Sequence, residues 1–232
     1  MGFTPNRVLE WSGSDSEEAY VQNCSKQPDD WYYRNKKIEY AFNSNGHRCK
    51  EIADIDISNY ILFTGCSFTE GVGLELEKTY PYVVSKELGC DYYNMGLGGT
   101  GIDAASHNVI TWISKTKNQP KAIIIQWPQP SRVMIPGTAP MSIRFRSVGA
   151  WQTDPHIQTF MASGEEIGFF NARNILLQNL IKNVSRCPVY IDNTLGGYNS
   201  VNDYARDCGH PGIRSNQIYA ERVHSLISSH FR

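Results

Sequence analysis

From residue 51 onward, short apolar runs alternate with stretches whose apolar residues recur every three or four positions, the pattern of a parallel sheet covered by helices on both faces. Residues 60–64 and 122–125 are the strongest strand candidates, and 91–94 and 189–192 read as two more. Between them the spacing predicts a helix over 79–88, stopped by Gly89, and a second through Ile102, Ala105, Val109, Ile110 and Ile113. A third runs through Phe169, Ala172, Leu176, Leu177, Leu180 and Val184. Tyr219, Val223, Leu226 and Ile227 form the apolar stripe of a last helix.

Two regions escape this pattern. Residues 1–50 are rich in Asn, Ser, Asp and Lys, with scattered aromatics such as Trp11, Tyr20, Trp31 and Tyr40, and read as an irregular arm packed on a main domain of residues 51–232. Within that domain, residues of about 133–167 form a long insertion of Pro, Gly, Ser and Arg with no convincing element, far longer than an ordinary connection. Its Arg144, Phe145, Arg146 and Trp151 are expected to lie near the site and shape substrate choice. No internal repeat is detectable.

A length of 232 residues fits one domain with a substantial core. The net charge of -1 offers no basic field for nucleic acid or an anionic membrane, which leaves a small or neutral molecule as the expected partner. No apolar run approaches a membrane span, and the first residues lack a secretory pattern, so a cytoplasmic location is expected. Gly2 suggests myristoylation, but Asn6 stands where that motif has Ser or Thr. The six cysteines have no zinc-site spacing and are read as reduced thiols, so no metal and no cofactor is expected.

Three segments carry candidate chemistry. In Ile61-Leu62-Phe63-Thr64-Gly65-Cys66-Ser67, a buried strand runs straight into a serine beside a glycine. A nucleophile suits the carboxyl end of a parallel strand, where it projects into the open crevice and neighbouring backbone N–H groups can face a developing oxyanion. A serine capping the next helix would give the same local pattern. In Asp207-Cys208-Gly209-His210-Pro211-Gly212, an imidazole and a carboxylate lie three residues apart on a Gly/Pro turn. A serine hydroxyl needs such an imidazole to take its proton and a carboxylate to fix the tautomer. The remaining histidines, His47, His107, His156, His224 and His230, are read as ordinary core or surface residues. The third segment, Asn94-Met95-Gly96-Leu97-Gly98-Gly99-Thr100-Gly101, lets a ligand approach the backbone. It also matches the glycine pattern of dinucleotide sites, but the strand after it ends in Gln126-Trp127-Pro128 without the acidic residue that binds a ribose.

In this order the three segments resemble the SGNH (GDSL-like) serine hydrolases, whose first block, Gly-Asp-Ser-x-x-x-Gly, stands here as Gly65-Cys66-Ser67-Phe68-Thr69-Glu70-Gly71. The closing Asp-x-x-His-Pro-Gly before a last helix is the strongest match. The resemblance spans about residues 38–225 and implies a three-layer α/β/α, flavodoxin-like fold with a mainly parallel sheet of about five strands. It implies Ser67 as nucleophile, His210 as base, Asp207 as its orienting group, and the N–H groups of Ser67 and Gly99 as an oxyanion hole. Two positions depart from the family. Cys66 replaces its Asp, and the Gly-x-Asn-Asp block is missing, with Pro130 at the position of the oxyanion-binding Asn. Gln129 or Gln126 is expected to substitute, because losing one such donor costs about 2.7–4 kcal/mol of transition-state stabilisation. Trp127 and Arg132 are candidate substrate contacts. The implied activity is hydrolysis of a small or glycan-linked acyl ester through an acyl-enzyme on Ser67. The alternatives are acyl transfer by the same residues and a non-catalytic binding or structural protein on the same fold.

Overall fold

The computed structural model describes residues 5–136, 145–149, 152–166, 168–192 and 202–231. The chain starts with a two-residue strand β1 (Val8–Leu9), helix α1 (Glu17–Lys26) and strand β2 (Tyr40–Ala41), which pairs antiparallel with β1. Ser16 accepts from the Ala19 N–H and caps α1. Between these elements Tyr33, Ile38, Tyr40 and Phe42 form a small core with Leu74 and Ala205.

The main domain then runs β3 (Tyr60–Thr64), α2 (Ser67–Glu70), α3 (Tyr80–Glu87), β4 (Asp91–Asn94), α4 (Ile102–Lys115) and β5 (Ala122–Gln126). Next come β6 (Val133–Pro136), β7 (Phe145–Val148), α5 (Pro155–Glu166), α6 (Phe169–Val184), β8 (Val189–Asp192) and α7 (Ile213–Ile227). The main sheet is ordered β4-β3-β5-β8 with all pairings parallel. Every residue of β3 and β5 is buried, as strands covered on both faces must be. The chain moves from β3 to β4 in one direction and from β4 to β5 to β8 in the other. Right-handed crossovers therefore put α3 on one face and α4 and α6 on the other, with α7 packed beside α3. The result is the expected three-layer α/β/α arrangement with the flavodoxin-like strand order. Its sheet has four strands rather than about five among the described residues.

The insertion also departs from expectation, since β6 and β7 pair as an antiparallel hairpin and α5 follows them. Val133 and Val148 meet Met161 and Phe170 in a satellite core. Each strand is only four residues long, which gives period-two alternation too little length to register in a Pro- and Gly-rich stretch. Arg144 and Trp151 lie outside the described residues.

Candidate active site

The crevice opens where the strand order reverses, between the carboxyl ends of β3 and β5, the usual place for a ligand in an open parallel sheet. Ser67 begins α2 directly after β3 and is 7% exposed, so its hydroxyl sits in the site rather than on the surface. Asp203 builds the other wall: its carboxylate accepts from the N–H groups of Arg214 and Ser215, capping the start of α7. The loop between Asp203 and α7 is closed by the Ala205 N–H donating to the His210 carbonyl at 2.9 Å.

Across this crevice His210 Nε2 lies 2.7 Å from Ser67 Oγ, and His210 Nδ1 lies 2.5 Å from Asp207 Oδ2. The edge of Phe68 stands against the His210 ring with centroids 5.3 Å apart. Asp207 divides its two oxygens between tasks. Oδ1 accepts from the N–H groups of Gly209 and His210, which shapes the turn, while Oδ2 accepts from the imidazole and, at 2.6 Å, from the hydroxyl of Ser14. Burial pushes the Asp207 carboxyl up, but the hydrogen bonds from His210, Ser14 and Gly209 outweigh it and hold the group down at about 2. The aspartate is thus an anion at neutral pH, able to keep the Nδ1 proton in place and to stabilise an imidazolium.

The glycine segment packs against α2, close to Ser67. A side chain at Gly96 would begin 2.5 Å from the Glu70 nitrogen, and one at Gly101 would begin 2.4 Å from the Arg132 carbonyl. Protein backbone fills the space beside both glycines, so they serve close packing within the chain and need no pyrophosphate to explain them. Asn94 ties the segment down, donating to the Thr69 carbonyl at 2.8 Å and accepting from the Gly96 N–H at 2.9 Å. Gly98 donates to Glu70 Oε2, and Gly99, in the left-handed region at φ +71°, lines the crevice. Among the described residues the N–H groups of Ser67 and Gly99 donate to no protein acceptor, leaving both for a ligand oxygen.

Beside Ser67 and His210 lies a cavity of about 690 Å³. Phe42, Val72 and Leu97 supply its apolar lining, while Ser12, Ser14, Glu70 and Arg132 supply polar groups. Burial raises the carboxyl of Glu70, against the pull of the Gly98 N–H and of Arg48. The buried Arg48 itself donates to the carbonyls of Gly71 and Leu74 and so holds the loop that follows α2.

No protein-family model and no curated protein matches the sequence. Solved structures do. An SGNH-hydrolase family esterase, AlinE4, is 23% identical over 30% of this chain and 40% of its own, with a TM-score of 0.28. An acetyl xylan esterase from Butyrivibrio proteoclasticus is 14% identical over 74% of this chain and 64% of its own, with a TM-score of 0.38. A member of the lipolytic G-D-S-L family from Veillonella parvula is 11% identical over 73% of this chain and 98% of its own, with a TM-score of 0.39. The chain spans less than two thirds of the first two of these proteins.

The residues taken from the SGNH pattern fare unequally in the crevice. Ser67, His210 and Asp207 meet, and Gly99 and Arg132 line the cavity beside them. Gln129 is exposed in the turn before Arg132 and does not line it. Gln126 is buried and occupied, accepting from Cys66 Sγ and donating to the Trp127 carbonyl. Pro130, at the position of the family's asparagine, offers only a carbonyl, which Arg173 takes at 2.7 Å. Trp127 belongs to the core, with its indole N–H donating to Asn174 at 2.7 Å, and does not line the cavity. His47, read as an ordinary core residue, is buried against the Tyr93 hydroxyl, and burial lowers its pKa to about 3. The six cysteines are free thiols. Among the described residues no cluster suits a metal ion and no helix is long and apolar enough to cross a membrane. Sequence reasoning missed Ser12, Ser14 and Glu70, which reach the site from outside the recognised blocks or between their fixed positions.

Proposed function

We propose that this protein is a serine esterase, hydrolysing a small or carbohydrate-linked acyl ester in two steps through an acyl-enzyme on Ser67. The observation that carries the reading is the unbroken hydrogen-bonded line from Ser67 Oγ through His210 to a buried, ionised Asp207, opening on a cavity. In the first step His210 Nε2 takes the Ser67 proton as Oγ attacks the ester carbonyl, and the imidazolium returns that proton to the leaving alcohol. In the second, the same nitrogen takes a proton from water, which attacks the acyl group; the acid leaves and Ser67 recovers its proton. The N–H groups of Ser67 and Gly99 face the oxygen on which negative charge develops. Without the third side-chain donor of the SGNH pattern, chemistry is slower by about 10²–10³-fold than a complete hole would allow. The cavity volume suits a small-molecule ester, and its mixed lining of hydroxyls, carboxyl, guanidinium and apolar groups favours a polar alcohol over bulk lipid. A hydroxyl compound replacing water in the second step would make the same residues an acyltransferase.

The test is release of p-nitrophenol from acetate, butyrate and octanoate esters by the wild type and by Ser67→Ala and His210→Ala, each checked for folding. We expect turnover by the wild type that falls with acyl length and is lost in both variants. A wild type that neither turns over an ester nor takes a fluorophosphonate label at Ser67 would overturn the reading in favour of a binding protein.

A further inference from the structure

The arm touches the catalytic loop at two consecutive residues on each side. Asp15 and Arg206 form a fully buried ion pair, with Arg206 Nε 2.9 Å from Oδ1 and Nη2 2.8 Å from Oδ2 of the aspartate. Arg206 also donates to the carbonyls of Glu10 and Lys36 and stacks over the Trp11 ring at 4.1 Å, so the arm wraps the guanidinium on several sides. One residue back in the arm and one residue on in the loop, Ser14 Oγ lies 2.6 Å from Asp207 Oδ2 and 3.3 Å from His210 Nδ1. The turn is closed by paired backbone hydrogen bonds between Ser12 and Asp15, and Ser12 and Gly13 line the cavity.

We propose that this turn of the arm is a built part of the active site, in which Ser14 is a positioning residue that holds Asp207 by donating to Oδ2, the oxygen that accepts the His210 Nδ1–H hydrogen bond. The inference rests on the esterase reading for its effect on turnover, but the geometry concerns this chain alone. Oδ1 of Asp207 is committed to its own turn, so without Ser14 the imidazole would be the only described side-chain donor at Oδ2, and the carboxylate could rotate. With Ser14 in place, Oδ2 meets two donors from different segments and its direction is fixed. The buried ion pair at the next residue supplies the rigidity that a surface hydroxyl lacks.

Two variants of matched shape isolate the hydroxyl: Ser14→Thr keeps it and Ser14→Val removes it. In the full-length protein we expect Ser14→Val to lower kcat about tenfold with KM changed less than about twofold, and Ser14→Thr to recover most of the loss. The His210 Nδ1 proton, observed directly by NMR, should move downfield in Ser14→Val, because Oδ2 has lost its competing donor, and return in Ser14→Thr. Equal kcat in the two variants, or an Nδ1 proton that is the same in both, would overturn the inference. The NMR signature needs no turnover, so a wild type inert toward esters and fluorophosphonate would sink the functional reading while the Nδ1 proton still decides the role of Ser14.

Discussion

At the scale of single residues, Asp207 shows how a buried anion is made tolerable. A carboxylate has room for about four donors, and here four are supplied: two N–H groups of its own turn, the imidazole and the Ser14 hydroxyl. Its carboxyl is held near 2, below the ordinary 3.8, so the folded protein prefers the ionised form more strongly than the unfolded chain does. The resulting contribution, about 2 kcal/mol, is complete above roughly pH 5 and disappears as the pH falls through 4 towards 2. Urea unfolding at pH 6 and pH 3 should therefore show a smaller acid-induced loss for Asp207→Asn than for the wild type. Parallel losses would mean that other carboxyls carry the acid sensitivity. Ser67, Asp207 and His210 were legible in the sequence because each sits in a short local pattern: a strand end beside a glycine, and a carboxylate three residues from an imidazole on a turn. Ser14 and Glu70 gave no such signal. Ser14 reaches the site only through a contact 193 positions away, and Glu70 occupies a variable position of the first block.

At the scale of elements, the parallel strands and their helices could be read from periodicity because β3 and β5 are buried throughout and α4 and α7 carry strong apolar stripes. The hairpin of β6 and β7 could not, since its packing is made by Met161 and Phe170 from later helices rather than by its own alternation. Trp127 and Gln129 were misleading for a related reason. Both follow β5 and so belong to the active end of the sheet, yet the indole turns into the core to reach Asn174, and the glutamine lies in an exposed turn. The junction between α2 and the glycine segment is tightly packed. We expect Gly96→Ala to cost about 1–3 kcal/mol in denaturant unfolding, because the new Cβ meets backbone that no rotamer change can move. Turnover should fall as well, since Gly99 rides on the same segment. An unchanged unfolding midpoint would show that the loop relaxes freely.

For the molecule as a whole, the arm is joined to the domain by more than surface contact. Asp15 and Arg206 are both fully buried, and removing one partner leaves the other charged and out of water. Asp15→Ala should lose about 3–5 kcal/mol of stability, read by chemical unfolding, and replacing both residues together by apolar ones should recover much of it. A small loss in the single variant would show that water reaches Arg206 and that the arm is loosely held. The arm's aromatics were legible as packing residues, but their destination was not. Arg206, next to Asp207, looks in sequence like any surface cation, and only the fold shows it enclosed.

The same pairing bears on how the molecule comes into being. Arg206 and Asp15 are 191 positions apart in the chain, and Ser67 and His210 are 143 apart. Contacts of such sequence separation carry a large loop-closure cost. During synthesis the strand that delivers Ser67 leaves the ribosome long before the loop bearing His210, and the arm waits longer still for its buried partner. Ser67 and His210 therefore come together only once both ends of the chain are available, with residues 206–210 set against the turn at 12–15.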